Sequence, residues 1–120
     1  MKIAISAAGQ NKESILDRRF GRCDYFLIFD TETGEYKAMG NNGVSSGGGA
    51  GIAAASQVID ENVSAVISGS VGPNAFELLE KADIKVYKCE ELPIFNVVEM
   101  FQKNELLQVN IAGNAHNGMK

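Results

Sequence analysis

One histidine, two cysteines and two prolines are all that this 120-residue sequence holds of those types. The cysteines, Cys23 and Cys89, form no metal-type spacing, so a reduced, cytoplasmic setting is the default expectation. The histidine, His116, has the chemistry of a metal ligand but falls in the last few residues, and no Ser-His-acid arrangement with a placed base can be drawn. No apolar run approaches the ~20 residues that a membrane-spanning helix needs. Met1-Lys2-Ile3-Ala4-Ile5-Ser6 is too short and too strand-like for a signal peptide. Positive charge is also scarce. The net charge is -4 and the eight lysines are scattered, whereas binding to nucleic acid or to an anionic membrane calls for many dispersed cations, so both are excluded as main partners.

What remains is ordinary for a soluble protein: 45% apolar and 22% charged residues, enough chain for one domain with a real core. Ile3, Ile5 and Ala7 alternate with Ala4 and Ser6, which predicts a buried first strand over residues 2 to 7. Gly9 to Asp17 reads as a loop. Tyr25 to Phe29 is a second strand, and Asp30 to Glu35 turns it into an antiparallel third over residues 35 to 40. Helices and strands then alternate. Ile52, Ala55 and Ile59 mark one face of a first helix, with Val58 beside them, and Ser64 to Ser68 a fourth strand. Pro73 opens a second helix with Ala75, Leu78, Leu79 and Ala82 on one face, since proline costs nothing in a first helical turn. Ile84 to Lys88 is a fifth strand. Pro93 opens a third helix with Ile94, Val97, Val98 and Phe101 on one face. The order β-β-β-α-β-α-β-α, with right-handed crossovers, predicts an α/β fold with a mixed five-stranded sheet of order 3-2-1-4-5 flanked by helices. Residues 1–109 form this single domain, and residues 110–120, rich in asparagine and glycine, form a flexible tail.

Against the acidic background two segments stand out. All three arginines fall within Arg18-Arg19-Phe20-Gly21-Arg22, a loop between strands one and two. Five of the thirteen glycines fall within Gly43-Val44-Ser45-Ser46-Gly47-Gly48-Gly49-Ala50-Gly51-Ile52, which feeds into the first helix. Strand directions bring both loops, with Gly69 to Gly72 and the residues after Lys88, to one edge of the sheet, where open α/β sheets bind ligands. Arginine forks suit multi-oxygen and multi-sulfur anions, and glycine-rich backbone before a helix offers unshielded N–H groups. The glycine loop lacks the Lys-Ser or Lys-Thr of a phosphate-binding P-loop and does not follow the first strand as a dinucleotide fingerprint does. Arg18 is the expected partner of Asp17 or Asp24 in a surface ion pair, while Arg19 and Arg22 bracket the Phe20-Gly21 turn as the working pair. The strand order sets Cys23 and Cys89 three strand spacings apart, roughly 14 Å, too far for a shared metal or a disulfide.

Arg19-Phe20-Gly21-Arg22, Tyr25-Phe26-Leu27-Ile28, Gly48-Gly49-Ala50-Gly51-Ile52, Gly69 and Gly72-Pro73-Asn74-Ala75, taken in order, resemble the dinitrogenase iron-molybdenum cofactor biosynthesis family with its NifX-like small homologues. The likeness runs from Lys2 to about Leu107. It departs from the family pattern at Arg18 and Asp24, where a proline is often expected. The resemblance implies an RNase H-like three-layer fold, and no carboxylate occurs in strand one where a nuclease of that fold needs its first metal ligand. It also implies a non-enzymatic binding or carrier protein for an anionic metal–sulfur cluster containing iron, molybdenum or copper, of the iron-molybdenum cofactor precursor or thiomolybdate type. A cluster-assembly or acceptor protein is the implied partner. The residues carried to such a site are Arg19, Arg22, Cys23, Ser45, Ser46, Gly47, Gly48, Gly49, Gly51 and Gly72, with Cys23 and His116 as candidate metal ligands. The alternative is a small regulatory or interaction domain that binds a phosphorylated metabolite or a protein partner at the same sheet edge.

Overall fold

Alternation of apolar side chains gives the sheet two buried faces, and the helices are arranged to cover both. The computed structural model describes residues 1–43 and 49–110. In chain order the elements are β1 (Lys2–Ala7), β2 (Tyr25–Asp30), β3 (Tyr36–Gly40), α1 (Ala50–Asp60), β4 (Ala65–Ser68), α2 (Pro73–Lys81), β5 (Lys85–Lys88), α3 (Ile94–Gln102) and β6 (Leu107–Val109). On one face Ala4, Phe26, Ile28, Val66 and Val86 pack beneath α1 and α2; on the other Ile3, Ile5, Leu27, Phe29 and Ile67 pack beneath α3. Period-two alternation in strands makes both clusters from the same residues, one side chain up and the next down.

The sheet order is β3-β2-β1-β4-β5-β6. β1 pairs antiparallel with β2 and parallel with β4, and β4 pairs parallel with β5. The expected five-stranded sheet is therefore corrected to six strands. The extra strand is only Leu107–Val109, antiparallel to β5 with Val86 opposite Val109 and Lys88 opposite Leu107. Its residues are exposed or half-buried, so neither length nor alternation sets it apart from a loop in the sequence.

Each helix stops on the same kind of residue. Asn62, Asp83 and Asn104 follow the three C-caps with φ of 59°, 64° and 59°. Asparagine and aspartate tolerate the left-handed region better than other side-chain-bearing residues, which lets the chain turn off the helix and satisfy its last carbonyls. At α2 the Ile84 N–H bonds back to Leu79 at 2.9 Å, and at α3 the Glu105 N–H bonds back to Met100 at 2.9 Å.

Two helix faces differ from the sequence expectation. In α1 the buried set is Ala50, Ala54, Ala55 and Val58, while Ile52 is 44% exposed. Alanines form the seam because α1 lies close to α2, and Gly51 comes within 3.4 Å of Ala75 when given a Cβ. In α2 the buried set is Ala75, Phe76 and Leu79, and Ala82 lies past the helix as its exposed C-cap.

Candidate functional site

Pairing fixes which loops meet. Ala7 lies opposite Tyr25, Tyr25 opposite Gly40, and Ser68 opposite Lys88, so the ends of β1, β3, β4 and β5 and the start of β2 share one edge of the sheet. The arginine loop and the helix that follows the glycine loop are direct neighbours there. A Cβ on Gly21 would stand 2.9 Å from the Gly51 nitrogen and 3.0 Å from its Cα. Backbone at Gly21 thus lies flat against the first turn of α1, a separation that real Cβ atoms essentially never show. The other flank of the arginine loop is as close. A Cβ on Gly69 would meet the Arg18 Cβ at 2.4 Å and its Cα at 2.7 Å. The Phe20 N–H donates to the Ser70 carbonyl at 3.2 Å, and Arg19 forms a parallel bridge with Ser70.

Three buried polar residues hold this loop in place, and the sequence reading singled out none of them for it. Ser6 and Ser68 are 0% and 1% exposed. The Ser6 hydroxyl donates to the Asp17 carbonyl at 2.6 Å and lies 2.8 Å from the Ser68 hydroxyl, which in turn reaches the Arg18 carbonyl at 3.4 Å. The Asp17 N–H donates to the Ser6 carbonyl at 2.9 Å, closing the link to β1. Asn41, just past β3, donates through Nδ2 to the carbonyls of Gly21 at 3.1 Å and Cys23 at 2.9 Å, and accepts from the Gly43 N–H at 3.0 Å. A lone serine in a strand or an asparagine after one is legible only as surface or turn; its burial comes from strands far apart in the chain.

The arginines fall out differently from the sequence expectation. The ion pair with Asp17 belongs to Arg19, not Arg18: Nε and Nη2 of Arg19 reach the two carboxylate oxygens at 3.2 and 3.1 Å, and its backbone N–H reaches Oδ1 at 2.9 Å. Burial alone would raise the Asp17 carboxyl, but the bonds and charge of Arg19 outweigh it and hold the group below its usual value. The same pairing raises the Arg19 guanidinium above its usual value. This engages two of the five guanidinium N–H donors. Arg18 instead lines a cleft of about 980 Å³ with Ser70, Tyr87, Lys88, Cys89 and Leu106. Arg22 is exposed at the end of the loop.

Cys23 is fully buried beneath the loop, where its thiol lies 3.3 Å from the Phe20 carbonyl. Burial pushes the thiol up to about 12, so at neutral pH it is a packed, protonated donor and not a thiolate. Cys89 sits in the cluster on the opposite face of the sheet, also buried and also raised by burial. Among the described residues no group of three or more His, Cys, Asp and Glu side chains gathers to hold a metal.

Gly49 caps α1 at φ 77°, a left-handed conformation that favours glycine, and Gly72 caps α2 in an extended conformation. Neither helix has a side-chain cap or an acidic residue in its first turn among the described residues. Both N-termini therefore present positive dipole ends beside the arginine loop. Ser45, Ser46, Gly47, Gly48 and His116, named from the sequence, lie outside the described residues.

Comparison with known proteins agrees with this fold over nearly its whole length. An uncharacterized protein of Methanocaldococcus jannaschii is 30% identical over 109 residues, covering 88% of this chain and 89% of that one. Among solved structures, the apo form of the orange protein from Desulfovibrio gigas has a TM-score of 0.90 at 30% identity, covering 94% of this chain and 96% of that one. A Thermotoga protein bearing a provisional NifB name has a TM-score of 0.83 at 29% identity, with 98% of both chains covered. The profile described as dinitrogenase iron-molybdenum cofactor matches residues 1–104. The chain belongs to the dinitrogenase iron-molybdenum cofactor family.

Proposed function

We propose that this chain binds and carries, without chemical turnover, an anionic metal–sulfur cluster at the edge where the arginine loop abuts α1. The observation that carries the reading is the contact of Gly21, which lies between Arg19 and Arg22 in the chain, with Gly51 in the first turn of α1, a turn with no side-chain cap among the described residues. A sulfide-rimmed anion asks for diffuse positive charge and several N–H donors. Arginine forks and helix N-termini supply these in fixed directions. Asp17 orients the Arg19 fork without using all its donors. The backbone at Gly49 and Gly72, where a Cβ would meet nothing within 4 Å, leaves room for a bulky rim to come close, while Gly51 lets the arginine loop seat on α1. Ser45 to Gly48, outside the described residues, remain candidates from the sequence. Cys23 contributes beneath the site as packing, since a buried neutral thiol is a poor ligand; His116 is the other candidate ligand.

The recognition is thus electrostatic and hydrogen-bonded, which suits a cargo that must be handed to an acceptor protein. Belonging to the family and likeness to a structure described as an apo form support cargo binding; the arginines and glycines supply the chemistry.

The test is anaerobic purification with iron, molybdenum and copper analysis, followed by titration with tetrathiomolybdate. The expected outcome is a visible absorption band that the Arg19→Ala/Arg22→Ala variant loses while keeping its fold. Unchanged binding by that variant removes the arginines from the site. Preference for a phosphorylated metabolite over thiomolybdate would establish the regulatory alternative, because helix N-termini accept phosphate equally well.

A further inference from the structure

We propose that Asn41 is the positioning residue that locks the arginine loop to the start of α1, so that anion binding depends on an amide that never touches the anion. This rests on the carrier reading above and concerns the same site.

Asn41 is 4% exposed, and its side-chain amide bonds to three backbone groups and the Cys23 thiol. Nδ2 spans the arginine loop's exit, donating to Gly21 at 3.1 Å and to Cys23 at 2.9 Å, and lies 3.8 Å from the Cys23 sulfur. Oδ1 accepts from the Gly43 N–H, and the Asn41 N–H donates to the Asp24 carbonyl at 3.0 Å. Gly43 is itself pressed onto α1: a Cβ there would meet the Ala53 Cβ at 2.7 Å and the Ala50 carbonyl at 3.1 Å. Gly21 is pressed onto Gly51. These contacts close a ring, from Asn41 to Gly21, from Gly21 to Gly51 in α1, from α1 to Gly43, and from Gly43 back to Asn41. A second amide braces the ring from the helix side. Gln57 of α1 donates to the Gly40 carbonyl at 2.7 Å and accepts from the Asn42 N–H at 2.9 Å.

Within the ring, Asn41 bonds both the arginine loop and the segment leading into the glycine loop. Removing its donors leaves the buried Cys23 carbonyl and the part-buried Gly21 carbonyl without that partner. The arginine loop then loses this tie on its α1 side, and the guanidinium groups lose part of their fixed bearing toward the helix N-terminus. Preorganisation of donors, not their number, decides affinity when each pays an ordering cost.

Asn41→Asp is the probe, since it keeps the shape and the acceptor to Gly43 while removing both donors. Tetrathiomolybdate affinity should fall about tenfold, with cooperative melting retained. In an Arg19→Ala background, which keeps Arg22 and so keeps measurable binding, the same change should cost less than about threefold, because a group it positions is gone. An equal penalty in both backgrounds, or affinity within about twofold of the parent in the otherwise native chain, overturns the proposal. Hydrogen exchange supplies a readout independent of ligand. Amides of Phe20 and Asn41, bonded to the Ser70 and Asp24 carbonyls, should lose protection in the variant while β1 and β4 keep theirs; unchanged protection at the loop overturns the proposal. If the parent chain fails to bind thiomolybdate, the carrier reading fails and the exchange pattern alone decides the role of Asn41. Asn41→Ser, too short to reach both carbonyls, carries the same test should Asn41→Asp not fold.

Discussion

Gly69→Ala should damage both stability and anion binding, and the size of the effect follows from the contact it creates. The new methyl would sit 2.4 Å from the Arg18 Cβ, 2.7 Å from its Cα and 3.1 Å from its carbonyl oxygen. Two of those atoms are backbone, so no side-chain rotation relieves the overlap. Carbon atoms rest at about 3.5–4.0 Å, so Arg18 must retreat by about 1.1–1.6 Å. The Phe20-to-Ser70 bond at 3.2 Å and the Ser68-to-Arg18 bond at 3.4 Å are already long, and a retreat of that size breaks both. Overpacking of ~1–3 kcal/mol and the loss of two bonds at ~0.5–1.5 kcal/mol each give roughly 2–4 kcal/mol once partial relaxation is allowed.

For a chain of this length ~1 kcal/mol shifts the melting temperature by about 4 °C, so a fall of roughly 8–16 °C is expected. Circular dichroism melts with Gly40→Ala as control make the comparison, because a Cβ at Gly40 meets nothing within 4 Å. That control should melt at or slightly above the parent, since alanine lowers the entropy of the unfolded chain. Thiomolybdate titration of Gly69→Ala below its melting range should show weakened binding, as Arg19 follows Arg18. A melting point within about 2 °C of the control would mean the loop yields freely and would refute the tight seating of Arg18 on Gly69.

Three further outcomes follow from the same geometry. Both thiols are buried and raised by burial, so a thiol reagent at pH 7.5 should modify neither Cys23 nor Cys89 within minutes, and both in denaturant; prompt native labelling of Cys23 would contradict its packing. Asp17 should titrate by carboxyl NMR below its ordinary value of 3.8. Its folded value is depressed, so the stability it contributes is present above about pH 4 and lost as pH falls through the folded value; Asp17→Asn should lack that acid-dependent loss. Val58→Ala should cost ~1–3 kcal/mol in denaturant unfolding while Ile52→Ser costs less than ~0.5, because Val58 is fully buried and Ile52 stands in solvent. The reverse order would return α1 to the face expected from its sequence.

Most of the fold was legible because long-range order here is written in local patterns. Alternation in Ile3 to Ala7, the aromatic run at Tyr25 to Phe29, and prolines at the starts of α2 and α3 each had a mechanism, and the strand order followed from connection lengths. The face of α1 was not legible. Ile52 and Ile59 outrank alanine as core formers in general, yet the close approach of α1 to α2 admits only small side chains, so Ala54 and Ala55 are buried and Ile52 is turned out. That approach is a property of two helices and cannot be read from one. β6 escaped for a related reason: its three residues gain order from pairing with β5, and nothing in Leu107–Val109 itself signals a strand.

The candidate site was legible as a meeting of the arginine loop with α1 and illegible as a set of contacts. Charge and glycine content located the arginine loop and α1, because composition anomalies survive without coordinates. Which arginine pairs with Asp17 depends on how the backbone turns after Ser6 and Ser68 have drawn Asp17 and Arg18 onto β1 and β4. That turn gives the carboxylate to Arg19, whose own N–H completes the bond, and sends Arg18 over Gly69 toward the cleft. Sequence distance could not decide between two adjacent arginines; a pair of buried hydroxyls did. The residues that set the direction of the arginine loop are therefore uncharged and hidden, and a search for function that counts only charged or metal-ligating side chains passes over Ser6, Asn41 and Ser68. Substituting these three should disturb anion recognition as surely as substituting the arginines, because a guanidinium aimed a few ångströms wide of a helix N-terminus is one more solvated surface charge.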